Sequence, residues 1–77
     1  MQEYVLIIHP AEEGGYWAEV PALPGCYVQG ENVEELLSEA PEIIEEYLAA
    51  VREDGGEVAD NDSFLVATVR VSTTSAA

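Results

Sequence analysis

The sequence has no lysine, and only two arginines, one histidine and one cysteine among its 77 residues. The shortage of cations excludes most. Sixteen acids against Arg52 and Arg70 leave a formal net charge of −14, which repels phosphate backbones and anionic lipid and speaks against direct nucleic-acid binding. A basic protein partner or bound cations would complement such a surface; the plainer alternative is that acidity only keeps a small chain in solution. One cysteine, Cys26, excludes an internal disulfide and suits a reducing compartment better than secretion. It reads as a small buried hydrophobe rather than a reactive thiol. Long apolar runs are missing too. MQEYVLIIHP lacks a basic n-region, and Tyr4 to Ile8 is too short for a signal h-region or a membrane span. The expectation is a soluble cytoplasmic protein.

The chain is also short. Residues 1–77 make one domain with no linker and no internal repeat, near the lower limit of what one core can stabilise. Apolar burial set against about 1.5 kcal/mol of ordering entropy per residue comes out near zero at this size. A metal, a disulfide or a second subunit is needed, and the disulfide is already excluded.

What is present reads as strands first. Residues 2–9, QEYVLIIH, are β-branched and aromatic and form the first predicted strand. AEEGG follows with turn chemistry, Gly14 and Gly15 permitting positive φ. YWAEV, residues 16–20, is the second strand and CYVQ, residues 26–29, the third. Between them PALPG fixes φ twice and withholds two N–H groups, so it is neither helix interior nor paired strand. The bend comprises Pro21, Leu23, Pro24, Gly25 and Cys26. Tight connections between three short strands predict an antiparallel meander.

Asn32 with Glu35 three positions on has the form of a capping box, placing the helix start at Val33. Val33, Leu36, Leu37, Ala40, Ile44, Tyr47, Leu48 and Val51 recur at helical spacing as one apolar face, and Gly55–Gly56 is the stop. Pro41 lies inside this pattern. It removes one hydrogen bond and crowds the Leu37 carbonyl at about 3 kcal/mol in a regular interior, so the helix kinks or breaks near Ala40. The unbroken apolar phase favours a kink. A polar loop over residues 57–63, a fourth strand over residues 63–72 and a frayed tail complete the order. The fold class is α+β, β-β-β-α-β, an antiparallel sheet with one helix on one face.

One helix covers one face only. The first strand has Tyr4, Leu6 and Ile8 on one side and Val5 and Ile7 on the other. The fourth has Leu65, Ala67, Val69 and Val71 opposite Phe64 and Val66. Strands apolar on both sides are those buried on both sides. A second copy is the simplest cover, giving a homodimer or larger even homo-oligomer.

Parts for catalysis are missing. His9, at a strand end next to Pro10, reads as an ordinary strand residue. None of Ser38, Ser63, Ser72 and Ser75 lies in a nucleophile-elbow context. Both glycine pairs lack the helix and lysine of a phosphate loop. The glutamates on the helix are spread along a solvated face rather than converging as a metal site requires, and Asp60 and Asp62 fall short of an EF-hand loop. No enzyme activity, metal or cofactor is expected. A nuclease would need acids from several strands, and the strands supply Glu3 and Glu19.

The helix charge has a mechanical consequence. Eight of the sixteen acids lie from Glu31 to Glu53, opposed by Arg52 alone. Pairs such as Glu31–Glu35, Glu35–Glu39 and Glu42–Glu46 each destabilise by a few tenths of a kcal/mol, an effect that salt or a docked basic surface would relieve. The competing reading is a plain solvated face.

EEGGYWAEVP followed by PALPGC, Gly30, the Asn32–Glu35 cap and EYLAAVREDGGEV resembles the HicB family of antitoxins over roughly residues 4–71. The resemblance implies a partly reduced ribonuclease-H-like fold without the catalytic carboxylates. It also implies a homo-oligomer that neutralises a small basic HicA-type toxin, which cleaves mRNA, by occluding its active site. Candidate contact residues are Trp17 and Tyr27, expected on one side of adjacent strands, with Glu42, Glu45 and Glu46 on the helix; the two aromatics fit a subunit interface or the core equally well. Two departures stand out. Ala22 replaces the acid that the family usually carries, and no C-terminal DNA-binding segment follows, so operator binding is not expected. The alternative function is a stand-alone oligomeric scaffold without a toxin partner.

Overall fold

A computed structural model of the chain describes residues 2–57 and 64–73. The expected 57–63 loop beyond Glu57, with Asp60, Asp62 and Ser63, lies outside these residues, as do the last four of the tail. Strands β1 (Ile7–Pro10), β2 (Tyr16–Glu19) and β3 (Tyr27–Gly30) form an antiparallel sheet in the order β1-β2-β3, followed by helix α1 (Val33–Glu53). The β1–β2 register pairs Ile8 with Ala18, and the β2–β3 register pairs Ala18 with Val28. This row faces the helix. Ala18 and Val28 are fully buried against Leu36 and Ala40, with Leu6, Ile8 and Ile43 packed around them.

Strand β1 is shorter than its apolar run. Residues 2–6 lie outside the β1–β2 ladder, which begins at the Ile7–Glu19 pair. Gly14 and Gly15 adopt positive φ in the β1–β2 connection, closed by the Ala11 and Gly14 amides.

The bend is two consecutive turns. The Leu23 N–H donates to the Val20 carbonyl, and the Cys26 N–H donates to the Leu23 carbonyl at 3.0 Å. In the second turn Pro24 and Gly25 occupy the central positions with Gly25 at φ 83°, the type II arrangement these two residues favour. The bend builds core, with Cys26 buried as expected, while Pro24 and Gly25 at its tip stay exposed. Val20, Ala22, Leu23, Cys26 and Ile44 are buried together, with Tyr4, Leu6, Tyr47, Leu48 and Phe64 packed on them. The Tyr47 hydroxyl donates to the Pro24 carbonyl at 2.7 Å, tying helix to bend.

Helix α1 begins where the capping pattern places it. The Asn32 side-chain oxygen accepts from the Glu35 N–H at 2.8 Å. It ends in a Schellman motif, with Gly55 at φ 77°, Gly56 N–H donating to the Val51 carbonyl and Gly55 N–H to that of Arg52. The helix runs through Pro41 without a break. Pro41 and Leu37 both lie on the solvent side, where water can take the carbonyl that the proline leaves unpaired. The buried stripe is Leu36, Ala40 and Ile44. Val33 and Leu37, expected on the apolar face, are exposed, Leu37 by 50%; they sit one step round the helix from that stripe.

Among the described residues the expected fourth strand is not formed. Residues 64–73 belong to no strand or helix. Phe64 packs on the bend cluster, but Leu65 and Val69 are 95% and 84% exposed. Alternating apolar residues suit a chain to a strand; they do not supply the edge it must pair with.

Candidate partner-binding surface

Side chains alternate across the sheet, so the face away from α1 carries Ile7 and His9 from β1, Trp17 and Glu19 from β2, and Tyr27 and Gln29 from β3. The register sets His9 opposite Trp17, and Glu19 between Ile7 and Tyr27. His9 stacks on Trp17 with centroids 4.4 Å apart and planes 23° apart. Tyr27 meets Trp17 edge-on at 6.0 Å. The His9 Nε2 lies 3.2 Å from Glu19 Oε2, placed to donate to it. Trp17 is thus braced from both sides while Tyr27 remains 58% exposed. A preorganised aromatic patch loses little freedom when a partner lands on it.

Trp17 and Tyr27 do share one side of adjacent strands, as their spacing suggests. His9 and Glu19 complete the patch, and sequence reasoning did not join them to it. The parity that unites Trp17 with Tyr27 extends to both residues once the hairpin register is known, and that register depends on the AEEGG loop length.

A second feature opens at the hairpin end of the sheet. An open cleft of about 1070 Å³ runs between the β1–β2 connection and the start of α1. Glu12 and Glu13 line it from the hairpin, Glu31, Glu35 and Glu39 from the helix side, and Trp17 belongs to its wall. Gly30 lines the cleft and lets the helix pass close over β3: a Cβ there would stand 2.7 Å from the Leu36 nitrogen. Trp17 therefore joins the open aromatic face to an acid-lined groove.

Glu42, Glu45 and Glu46 are placed elsewhere. All three are exposed on α1, and α1 covers the sheet face opposite Trp17 and Tyr27. The five residues singled out from the sequence therefore fall on two surfaces. The bend residues Leu23 and Cys26 are buried and offer a partner no side chain; their work is to pack. Burial pushes the Cys26 thiol pKa up. No helix among the described residues is long and apolar enough to cross a membrane.

A UPF0150 protein of Archaeoglobus fulgidus is 38% identical over 55 residues, 69% of this chain and 80% of that one. One from Synechocystis is 37% identical over 68 residues, covering 83% and 94% of the two chains. A second Synechocystis UPF0150 protein is 56% identical over 36 residues, and there the match spans about half of each, 47% and 49%. The family described as HicB-like antitoxin of bacterial toxin–antitoxin systems matches residues 4–72. That span takes in the hairpin, the bend, the capped helix and the segment beyond it, and the chain belongs to the HicB-like antitoxin family.

Proposed function

We propose that this protein is an antitoxin-type binding module that neutralises a small basic, HicA-type mRNA-cleaving toxin by covering its active site. The observation that carries the reading is Trp17 at the junction of the acid-lined cleft and the open sheet face. A lysine or arginine entering the cleft would meet carboxylates from two elements and the indole, combining charge pairing with a cation–π contact. The formal charge of −14 speeds encounter with a cation-rich surface. Inhibition by occlusion needs no chemistry from the antitoxin, in keeping with a family whose role is non-enzymatic. The three-stranded sheet with one helix is compatible with a reduced ribonuclease-H-like fold.

Capture of the basic protein encoded beside the gene, followed by RNA-cleavage assays, tests this reading. Trp17→Ala combined with Glu35→Lys and Glu39→Lys should abolish capture. Glu42→Lys, Glu45→Lys and Glu46→Lys together should leave it measurable. The reverse ranking would move the contact to the outer helix face, and capture untouched by both sets would sink an electrostatic mode.

The second reading, an oligomeric scaffold with no toxin, draws on the open sheet face, where Ile7 and Tyr27 remain exposed. It predicts self-association and no affinity for any small basic chain.

A further inference from the structure

The three strands place one acid, Glu19, and one base, His9, on the open face of the sheet beside Trp17 and Tyr27. The register sets Glu19 directly opposite Tyr27, a pairing that holds Cβ atoms about 4.5–5.5 Å apart. Tyr27 is 58% exposed and the Glu19 side chain 40% exposed, yet both are held. Tyr27 meets Trp17 edge-on, and His9, itself stacked on Trp17, reaches Glu19 Oε2 through Nε2. Glu19 Oε1 has no partner among the described residues, and each carboxylate oxygen can accept twice. The result is an open ring with a carboxylate at its side, both fixed through the same indole.

We propose that Tyr27 and Glu19 form a subsite for an arginine side chain of a basic protein and that this subsite selects arginine over lysine. The partner follows from the antitoxin reading, on which this inference rests; the subsite adds which cation that partner presents to the sheet. A guanidinium is planar, so it can lie on the tyrosine ring while the N–H groups in its plane reach sideways to a carboxylate. Glu19 stands at the side of the ring, where those N–H groups point. A lysine ammonium gathers its three donors at one point. It can sit over the ring or on the carboxylate but gains little from the two together.

Charge complementarity selects a cationic occupant. The chain carries a formal −14, and its own arginines, Arg52 in the last turn of α1 and Arg70 beyond it, belong to no strand of this sheet. A second copy would bring like charge to this face, and an RNA would bring phosphates. The subsite is distinct from the acid-lined cleft, since neither Glu19 nor Tyr27 lines it; Trp17 borders both.

Trp17 is the chain's one tryptophan and touches Tyr27, so its fluorescence reports on the subsite. Titration of the full chain with hexa-arginine and with hexa-lysine, peptides of equal charge, tests the selection. Hexa-arginine should bind at least about fivefold more tightly. Glu19→Gln and Tyr27→Leu should each bring the two affinities together, while Glu53→Gln, the same charge change at the far end of α1, should leave the preference intact. Equal affinities in the unaltered chain would overturn the proposal, as would a preference that survives both substitutions. Stronger quenching by a single-stranded RNA hexamer than by either peptide would overturn it in favour of base stacking. Should Tyr27→Leu lose its helical circular dichroism, Glu19→Gln decides alone. The peptides need no toxin, so the two readings fail separately. Arginine selection without capture of a neighbouring basic chain would sink the antitoxin role and leave the subsite standing; capture without arginine selection would do the reverse.

Discussion

Adding one methyl group at Gly30 should damage this fold more than removing a whole surface side chain. The new Cβ would stand 2.7 Å from the Leu36 nitrogen, 2.9 Å from its Cα and 3.0 Å from its Cβ. Two of those atoms are backbone in the first turn of α1, which the Asn32 cap and the contact of Leu36 with Ala18 and Val28 hold in place. Neither strand nor helix can yield without disturbing the other, and overpacking of this kind costs about 1–3 kcal/mol. Gly30 is not among the glycines with positive φ, so alanine also restricts the unfolded chain and returns about 0.4–1 kcal/mol. The net loss is about 1–2 kcal/mol. For a domain of this size each kcal/mol moves Tm by about 4–8 °C, so Gly30→Ala should lower the midpoint by about 4–16 °C. Circular dichroism at 222 nm through a thermal ramp measures it, with Glu39→Ala on the exposed helix surface as a control near zero. A midpoint unchanged or raised in Gly30→Ala would show that the helix does not rest on β3 as described.

Four smaller tests follow from other contacts. Asn32→Ala removes the acceptor for the Glu35 N–H and should cost about 1 kcal/mol, seen as an earlier denaturant midpoint with the same slope. Tyr47→Phe deletes the bond to the Pro24 carbonyl and should cost about 0.5–1.5 kcal/mol by the same measurement; no change would mean that the hydroxyl is as well served by water. Cys26 should react with a thiol reagent far more slowly in the folded chain than in denaturant. Because burial raises its pKa, the folded state holds that proton more tightly than the unfolded one. Its contribution is complete below the ordinary thiol pKa and is lost as pH rises through the folded value, so stability should fall in alkali, and Cys26→Ser should lessen that slope. Moderate salt should raise Tm by screening the helix glutamates, and a flat response would show that their repulsion is already relieved.

Local chemistry wrote much of this fold legibly. The Asn32 cap, the Gly55 stop and the Pro24–Gly25 turn each follow from residue types with narrow conformational preferences, and the structure places all three where those preferences put them. What depended on distant partners was harder to read. Leu65, Val69 and Val71 announce a strand, yet no local feature names its neighbour. Leu23 and Cys26 lie in a proline-rich turn, and nothing in turn chemistry says that the turn folds inward to become the centre of the core. Val33 and Leu37 fit a helical stripe as wide as the spacing allows, whereas a sheet and bend this small bury only Leu36, Ala40 and Ile44 of the helix. Trp17 and Tyr27 were legible through strand parity, but their separation from Glu42, Glu45 and Glu46 depends on which sheet face the helix covers.

The interior of this protein is two small clusters rather than one mass, and Leu6 and Ile43 pack against both. These two half-buried side chains act as keystones: the hairpin-side half and the bend-side half transmit load to each other through them. Whatever grips the helix near Ile43 therefore pulls on both halves at once, and a chain with its keystones trimmed would come apart in two stages instead of one.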